Sequence, residues 1–193
     1  MDFSAEVHEI AETRAVPVPF NRSYWVLPGR FLAGAYPGDL IPEIAEIKIR
    51  ALVKTGIRCF VDLTSPQERN LHDQALQSYR DLLDKVAAGS FKLSYRNLPM
   101  PDLGIPSDSG MKEVLDFIDE AIRSGTPVYV HCLGGIGRTG TVVGCWIARH
   151  GIERGLAIMA LIRKLRRNTA HAHLLSPETD PQRRLICAWR PGE

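Results

Sequence analysis

The stretch "VYVHCLGGIGRTG" at residues 128–140 decides the fold. It begins as an apolar run of strand-forming residues, passes through a cysteine, three glycines and an arginine, and leads into an apolar helical pattern. A strand that leads through a glycine-rich loop into a helix can hold an anion, because the loop amides point inward and the helix N-terminus adds a partial positive charge. The stretch therefore predicts a phosphate-binding turn between a buried strand and a helix.

The length and composition predict one globular domain. The chain has 193 residues, of which 45% are hydrophobic and 24% are charged, and these values are typical of a soluble domain that buries its own core. The first residues lack a secretory pattern and no apolar run approaches the roughly 18 residues that span a membrane, so we expect a cytoplasmic protein with no membrane partner. The net charge of +2 and the pI of 8.4 argue against nucleic-acid binding.

Predicted strands and helices alternate from residue 21 to the C-terminus, after an extended arm over residues 1–20. Strands are predicted on both sides of the Pro28-Gly29 turn and within residues 57–63, 91–99 and 127–131. Helices are predicted over residues 42–55, 65–88, 111–125, 139–151, 154–168 and 179–190. The alternation predicts a single α/β domain, residues 21–193, with a mostly parallel twisted sheet and helices on both faces.

One of these helices depends on a short capping signal. Ser65-Pro66-Gln67-Glu68 has the pattern of a capping box with proline at the first helical position. The residues that follow repeat at helical spacing and predict one apolar face, formed by Leu71, Ala75, Tyr79, Leu82 and Val86.

The glycine-rich loop also carries Cys132 and, six positions later, Arg138. The loop amides, the helix terminus and the guanidinium would all stabilise a thiolate, so Cys132 is predicted to be a nucleophile at the base of an anion cradle. Arg138 can hold two phosphate oxygens at once. Thr139 can place its hydroxyl near the sulfur and support it as a leaving group.

The order His131-Cys132-x5-Arg138-Thr139-Gly140 resembles the signature loop of the cysteine-dependent protein tyrosine and dual-specificity phosphatases. The resemblance implies a two-step reaction in which Cys132 attacks phosphorus and water then hydrolyses the phosphocysteine, with no metal or other cofactor. It implies that phosphate, vanadate or tungstate binds to the loop formed by Leu133, Gly134, Gly135, Ile136, Gly137 and Arg138.

The family also uses an aspartic acid to protonate the leaving alcohol and a late glutamine to position water. Asp102 lies thirty positions before Cys132 and follows a proline, as that acid does, whereas Asp108 is an alternative that fits the cap of the next helix better. Gln182 corresponds to the glutamine. Thr179 and Gln182 also form a capping-box pattern, so a purely structural role for Gln182 stays open.

The departures from the family pattern bear on the substrate. The compact chain has Met100-Pro101-Asp102 in place of the Trp-Pro-Asp of tyrosine-specific members, so the resemblance points to the dual-specificity branch and to phosphotyrosine, phosphoserine or phosphothreonine in proteins. Leu133 and Ile136 supply no lysine to the loop, which disfavours inositol and lipid phosphates. A silent phosphate-binding module and a rhodanese-like sulfurtransferase are the alternatives.

Four other features have alternative interpretations. His131 is expected to support the loop by hydrogen bonding to the backbone, and His171 with His173 lacks a third metal ligand at a convincing spacing. Cys59 is either a buried thiol or the partner of an oxidised Cys132 in a reversible disulfide. The basic stretch "RKLRRN" at residues 163–168 is either a solvated helix face or a contact for an acidic or phosphorylated partner.

Overall fold

A computed structural model describes residues 2–13, 16–70, 72–89 and 91–193. Its sheet has the strand order β1-β2-β5-β3-β4. The outer pair β1–β2 is antiparallel, and the pairs β2–β5, β5–β3 and β3–β4 are parallel. The strands are β1 (Ser23–Leu27), β2 (Phe31–Ala35), β3 (Cys59–Asp62), β4 (Ser94–Asn97) and β5 (Val128–Cys132). The predicted mostly parallel α/β fold is therefore confirmed.

Helices connect and cover these strands. Every residue of β1, β2, β3 and β5 is buried, which requires cover on both faces of the sheet. The helices are α1 (Ser4–Glu12), α2 (Pro42–Lys54), α3 (Arg80–Ala87), α4 (Asp108–Arg123), α5 (Gly137–Arg149), α6 (Leu156–Leu165) and α7 (Asp180–Ala188). Within the described ranges, no helix has the length and apolar character to cross a bilayer.

The N-terminal segment differs from the predicted extended arm. Residues 4–12 form α1, and its residues Val7, Ile10 and Ala11 are buried in the core. Their i, i+3, i+4 spacing is the helical signal that the interspersed acidic residues obscured. Positions 1, 14 and 15 of the expected arm lie outside the described residues.

The basic stretch at residues 163–168 makes contacts with the end of α1. Arg167 donates hydrogen bonds to the carbonyls of Ile10, Ala11 and Thr13, which are orphan acceptors at the end of α1. Lys164 pairs with Glu12, and Arg166 is buried. Arg163, Lys164, Arg167 and Asn168 are nevertheless exposed. The stretch is therefore mostly a solvated face, as the first interpretation expected, and it also joins α6 to α1.

The segment after Ser65 is not helical until Arg80. Residues 65–70 and 72–79 form turns and a bridge between Arg69 and Ala75, and the predicted face residue Leu71 lies outside the described residues. Half of the predicted capping box does form, because Ser65 N donates to the Glu68 carboxylate at 3.1 Å. Glu68 also accepts hydrogen bonds from an arginine described below, so its carboxylate joins this segment to a distant part of the chain.

Candidate active site

The glycine-rich loop lies at the carboxyl end of β5, between β2 and β3. The central position of a parallel sheet is where ligands of open α/β folds usually bind. Gly135 has φ +71°, and a Cβ on it would lie 2.6 Å from the carbonyl carbon of Gly34 on β2. The loop thus lies directly on the neighbouring strand. The amide of Gly135 donates to Cys132 Sγ at 3.3 Å, so the sulfur is buried at the base of the loop and bonded to it.

Arg138 is held by the carboxylates of Glu68 and Asp102. It is only 2% exposed, and its two terminal nitrogens donate to the two carboxylate oxygens of Glu68 at 2.5 and 2.6 Å. Asp102 Oδ1 lies 3.0 Å from Nη2. Burial alone would lower the pKa of Arg138, but the hydrogen bonds to Glu68 and the nearby negative charges raise it above its ordinary value. The guanidinium is therefore a fixed cation.

The loop that carries Asp102 is fastened to α7. Thr179 Oγ1 donates to Leu103 O at 3.1 Å, and Gln182 Nε2 donates to Gly104 O at 3.0 Å. Leu103 has φ +56°, a left-handed conformation that is uncommon for a leucine and often marks a functional loop. The Asp102 carboxylate is 63% exposed. It is thus both solvent-accessible and next to Arg138.

Asp108 has the helix-start position that the alternative assigned to it. It is the first residue of α4, whose N-cap Ser107 accepts a hydrogen bond from Gly110 N. Between the two candidate acids, it is Asp102 that makes the ion pair with Arg138.

Gln182 is buried and forms the predicted capping box with Thr179. Its Oε1 accepts from Glu178 N and Thr179 N, both at 3.1 Å, while Nε2 bonds the acid loop. A Cβ on Gly137 would lie 3.0 Å from Glu178 Oε2 and 3.2 Å from Gln182 Oε1. Both side chains therefore border the first turn of α5.

The Thr139 hydroxyl takes a different direction from the predicted one. Its hydroxyl is buried and donates to Gly34 O on β2 at 3.2 Å, instead of pointing to the sulfur of Cys132. In this structure Thr139 and Gly135 together anchor the loop to the same residue of β2.

His131 belongs to a buried polar network behind the loop. Its Nε2 is 2.6 Å from Tyr79 Oη, and its Nδ1 is 3.8 Å from Asp62 Oδ1. Asp62 in turn accepts from Thr64 and from Tyr95. Burial lowers the pKa of His131, and the charge of Asp62 opposes this only in part. The His131 side chain thus contacts Tyr79, a partner that the sequence did not indicate.

The β3–β5 register excludes a disulfide between Cys59 and Cys132. Cys59 lies opposite Val128, and Cys132 ends β5 four residues later. At about 3.3 Å per residue the two Cα atoms are roughly 13 Å apart, whereas a disulfide needs less than about 7 Å. The hypothesis of a regulatory disulfide is therefore wrong, and Cys59 is a buried thiol.

Metal ligands do not cluster in the described ranges, where no three His, Cys, Asp or Glu residues come together in a way that could hold an ion. The rings of His171 and His173 are 6.3 Å apart. His171 instead lies near the loop, in a pocket described below.

Three residues near the site were missed by sequence analysis. Glu68 was assigned to a helix cap, Tyr79 to an apolar helix face, and Glu178 to no role. Only Glu68 had a local signal, the Ser-Pro-Gln-Glu pattern, and that signal has a structural explanation of its own.

A family model described as "Polymorphic toxin system, DSP-PTPase phosphatase" matches residues 41–152. The chain belongs to this DSP-PTPase family. The match includes Glu68, Asp102 and the whole loop at residues 128–140, and it leaves α1, the β1–β2 hairpin and α7 of this DSP-PTPase outside.

The matches to curated relatives of the DSP-PTPase cover only part of each protein. Dual specificity protein phosphatase CDC14B of Mus musculus is 39% identical over 128 residues, which are 65% of this chain and 24% of that protein. The Methanocaldococcus jannaschii protein MJECL20 is 43% identical over 56 residues, which are 29% of this chain and 38% of that protein. The chain thus spans well under half the length of either relative.

Solved structures with the same fold include Tk-PTP and PTPMT1. Tk-PTP in its active form has a TM-score of 0.59 and 25% identity, and the similarity covers 81% of this chain and 88% of that chain. PTPMT1, solved in complex with PI(5)P, has a TM-score of 0.60 and 17% identity, with 83% and 90% covered. At 17% identity, the similarity to PTPMT1 shows a shared fold alone.

Proposed function

We propose that this chain hydrolyses phosphate monoesters through a phosphocysteine, and that its substrates are proteins phosphorylated on tyrosine, serine or threonine. The observation that carries the proposal is the ion pair between Asp102 and Arg138, with Arg138 on the loop whose Gly135 amide bonds Cys132 Sγ. This constellation brings a nucleophile, an anion-binding cation and an acid together. The proposed catalytic domain comprises residues 21–193.

In the first step the Cys132 thiolate attacks phosphorus in line with the leaving oxygen. An S–P bond forms while the P–O bond breaks, and the Asp102 carboxyl gives its proton to the departing alcohol. Arg138 and the amides of Leu133, Gly134, Gly135, Ile136 and Gly137 hold the three non-bridging oxygens, whose charge is spread in the transition state.

In the second step water attacks the phosphorus of the phosphocysteine. The Asp102 carboxylate accepts a proton from that water, the S–P bond breaks, and phosphate and the thiolate are released. Asp102 thus ends the cycle protonated, ready for the next substrate, as a shared acid and base requires.

Gln182 and Thr139 have proposed roles in the second step and at the thiolate. Gln182 borders the start of α5, but to orient the water its amide would first have to release Gly104 O or the capping bonds. The Thr139 hydroxyl would support the sulfur after rotating away from Gly34 O.

The proposed substrate class rests on the side chains of the phosphate-binding loop. The two large side chains on the loop, Leu133 and Ile136, are apolar and add no cation for a second phosphate. The PI(5)P complex of PTPMT1 keeps inositol lipids as the second candidate. The two classes are separated by turnover of a phosphopeptide panel against phosphoinositide vesicles.

The deciding experiment compares p-nitrophenyl phosphate and phenyl phosphate turnover by wild type, Cys132→Ser and Asp102→Asn, with Asp108→Asn as the matched control. Cys132→Ser is expected to abolish turnover. Asp102→Asn should reduce phenyl phosphate turnover far more than p-nitrophenyl phosphate turnover, because the better leaving group needs less protonation. Equal activity of wild type and Cys132→Ser would remove the mechanism.

Two other outcomes favour the alternatives. Tungstate binding by wild type without turnover of any phosphate ester would indicate a silent phosphate-binding module. Transfer of sulfur from thiosulfate to cyanide would indicate a sulfurtransferase. If Asp108→Asn loses activity and Asp102→Asn keeps it, the acid is Asp108.

A further inference from the structure

A small pocket lies beside the glycine-rich loop, on the side of β1 and of the segment that follows α6. Its lining consists of Arg22, Tyr24, Gly134, Gly135, Arg166, Thr169 and His171. Arg22 connects the pocket to the loop directly, because its Nη2 donates to Gly134 O at 3.2 Å.

Unpartnered polar atoms are concentrated on the residues that line this pocket. In the described part of the chain, five buried side-chain nitrogen or oxygen atoms have no hydrogen-bond partner, and three of them are Arg22 Nε, Tyr24 Oη and His171 Nδ1. Tyr24 is only 3% exposed. Buried polar groups are nearly always hydrogen-bonded, so three such atoms around one space indicate a polar occupant.

The pocket is positively charged. Arg22 and Arg166 both line it, and across the described ranges neither has a carboxylate within salt-bridge distance, while Arg166 is 3% exposed. The Arg166 guanidinium donates only to the carbonyls of Leu174 and His171. A buried cation without a counter-charge is unfavourable, and an anion would offset it.

The titratable groups of the pocket fit an anion. Burial raises the pKa of Tyr24, so its hydroxyl keeps its proton and can donate. Burial, followed by the charges of Arg22, His173 and Arg166, lowers the pKa of His171. The pocket thus presents a neutral imidazole, a hydroxyl and two guanidinium groups.

The size of the pocket restricts the ligand. The space open to the centre of a water-sized sphere is about 10 Å³, which is close to the volume that one water-sized particle needs. A single compact ion such as a halide fits this space.

We propose that this pocket binds one halide ion, chloride under ordinary conditions, held by Arg22 Nε, Tyr24 Oη and the charge of Arg166. The ion would contact Arg22, and Arg22 in turn supports the phosphate-binding loop by donating a hydrogen bond to Gly134 O. The binding does not depend on the proposed hydrolase function, so a catalytically silent chain would bind the halide equally well.

The test uses the full chain crystallised in sodium bromide and measured at the bromine absorption edge. An anomalous peak between Arg22, Tyr24 and Arg166 is expected. A peak-free pocket in well-ordered crystals that show bromide elsewhere would overturn the proposal, since a water molecule would then satisfy these atoms.

A solution measurement separates this site from halide bound in the phosphate loop. Thermal unfolding of wild type is compared in sodium chloride and in sodium acetate of equal ionic strength, and chloride is expected to raise the melting temperature by roughly 3 °C. Tyr24→Phe should lose most of this difference, while Tyr95→Phe, which removes a hydroxyl that bonds Asp62, should keep it. A full chloride effect in Tyr24→Phe would contradict the proposal.

Discussion

Glu68 and Arg138 form a two-point ion pair across seventy residues of sequence. Each carboxylate oxygen of Glu68 accepts from a different terminal nitrogen of Arg138, at 2.5 and 2.6 Å. The Glu68 side chain is 10% exposed, and it also accepts from Ser65 N. A planar guanidinium held at two points cannot swing, so the phosphate-facing edge of Arg138 is oriented before a substrate arrives.

Glu68→Gln is therefore expected to weaken phosphate binding and transition-state stabilisation together. The amide keeps one acceptor but loses the charge and one of the two bonds, so kcat/KM for p-nitrophenyl phosphate should fall by roughly 10- to 100-fold. Because Arg138 stays buried without the negative charge of Glu68, the free energy of unfolding should also decrease by about 2 kcal/mol.

The matched control is Glu113→Gln, which removes one charge from the exposed pair with Arg96. This control should change neither kcat/KM nor stability appreciably. Wild-type kinetics in Glu68→Gln would contradict the role given to the pair.

The contrast between Glu68 and the loop explains what sequence analysis can predict. Cys132, Gly135 and Arg138 are fixed by one contiguous strand–loop–helix unit, so their relative placement follows from local spacing. The partner of Arg138 comes from a distant turn, where the local Ser-Pro-Gln-Glu signal favours a helix cap instead. Sequence periodicity cannot reveal a charge pair that forms only when the sheet brings β3 and β5 together.

The contacts of the N-terminal helix and of His131 also join segments that are distant in sequence, so local patterns do not predict them. Arg167 bonds the carbonyls of Ile10 and Ala11, and only tertiary packing makes those last helical groups favourable to bury. The contact of His131 with Tyr79 likewise joins strand β5 to the start of α3. By contrast, the family resemblance points to Asp102, and the structure places this residue in the loop between β4 and α4, beside Arg138.

Gly135→Ala is expected to displace the phosphate loop. Gly135 has φ +71°, and the new Cβ would lie 2.6 to 2.8 Å from backbone atoms of Gly34 and Ala35, which cannot yield as a flexible side chain would. We expect loss of tungstate binding and at least a 100-fold decrease in kcat/KM, by analogy with displaced catalytic groups.

Gly134→Ala is the control for this prediction. A Cβ at that position would meet only Ile136, at 3.8 Å, which is ordinary van der Waals contact. Its activity should stay within a few-fold of wild type. If both variants behave alike, the close approach of Gly135 to β2 does not govern the loop.

Gln182→Ala tests whether the glutamine positions water or fastens the acid loop. The substitution removes the bond to Gly104 O and the capping box. Loss of water positioning alone would leave phosphocysteine to accumulate, visible by mass spectrometry after rapid quenching with p-nitrophenyl phosphate. Loss of the acid-loop contact would slow the first step, with no trapped intermediate and a lower single-turnover rate.

We expect Gln182→Ala to slow the first step by roughly tenfold, because both amide atoms are already bonded to protein groups. Thr179→Val provides the comparison, since it removes the cap and the bond to Leu103 O but keeps the amide of Gln182. Accumulated phosphocysteine in Gln182→Ala with an unchanged first step would assign the water-positioning role.

The last prediction concerns stability in mild acid and rests on His131. The pKa of this buried imidazole is lowered from its ordinary value of 6.5, first by burial, while Asp62 partly opposes the shift. Tyr79, Tyr36 and Tyr129 face the ring as well, and they are neutral at these pH values.

The unfolded chain therefore binds a proton near pH 6.5 that the folded chain does not bind, so the stabilising contribution is complete above that pH and decreases as the pH falls through it. The free energy of unfolding should fall with a slope of up to about 1.4 kcal/mol per pH unit below pH 6.5. Carboxylates with lowered pKa, such as Asp119, affect only more acidic solutions. Urea unfolding of wild type, His131→Gln and the exposed control His8→Gln between pH 5 and 7.5 measures this slope. His131→Gln should flatten it although the variant is less stable throughout, and equal slopes in all three proteins would show that His131 does not carry the acid sensitivity.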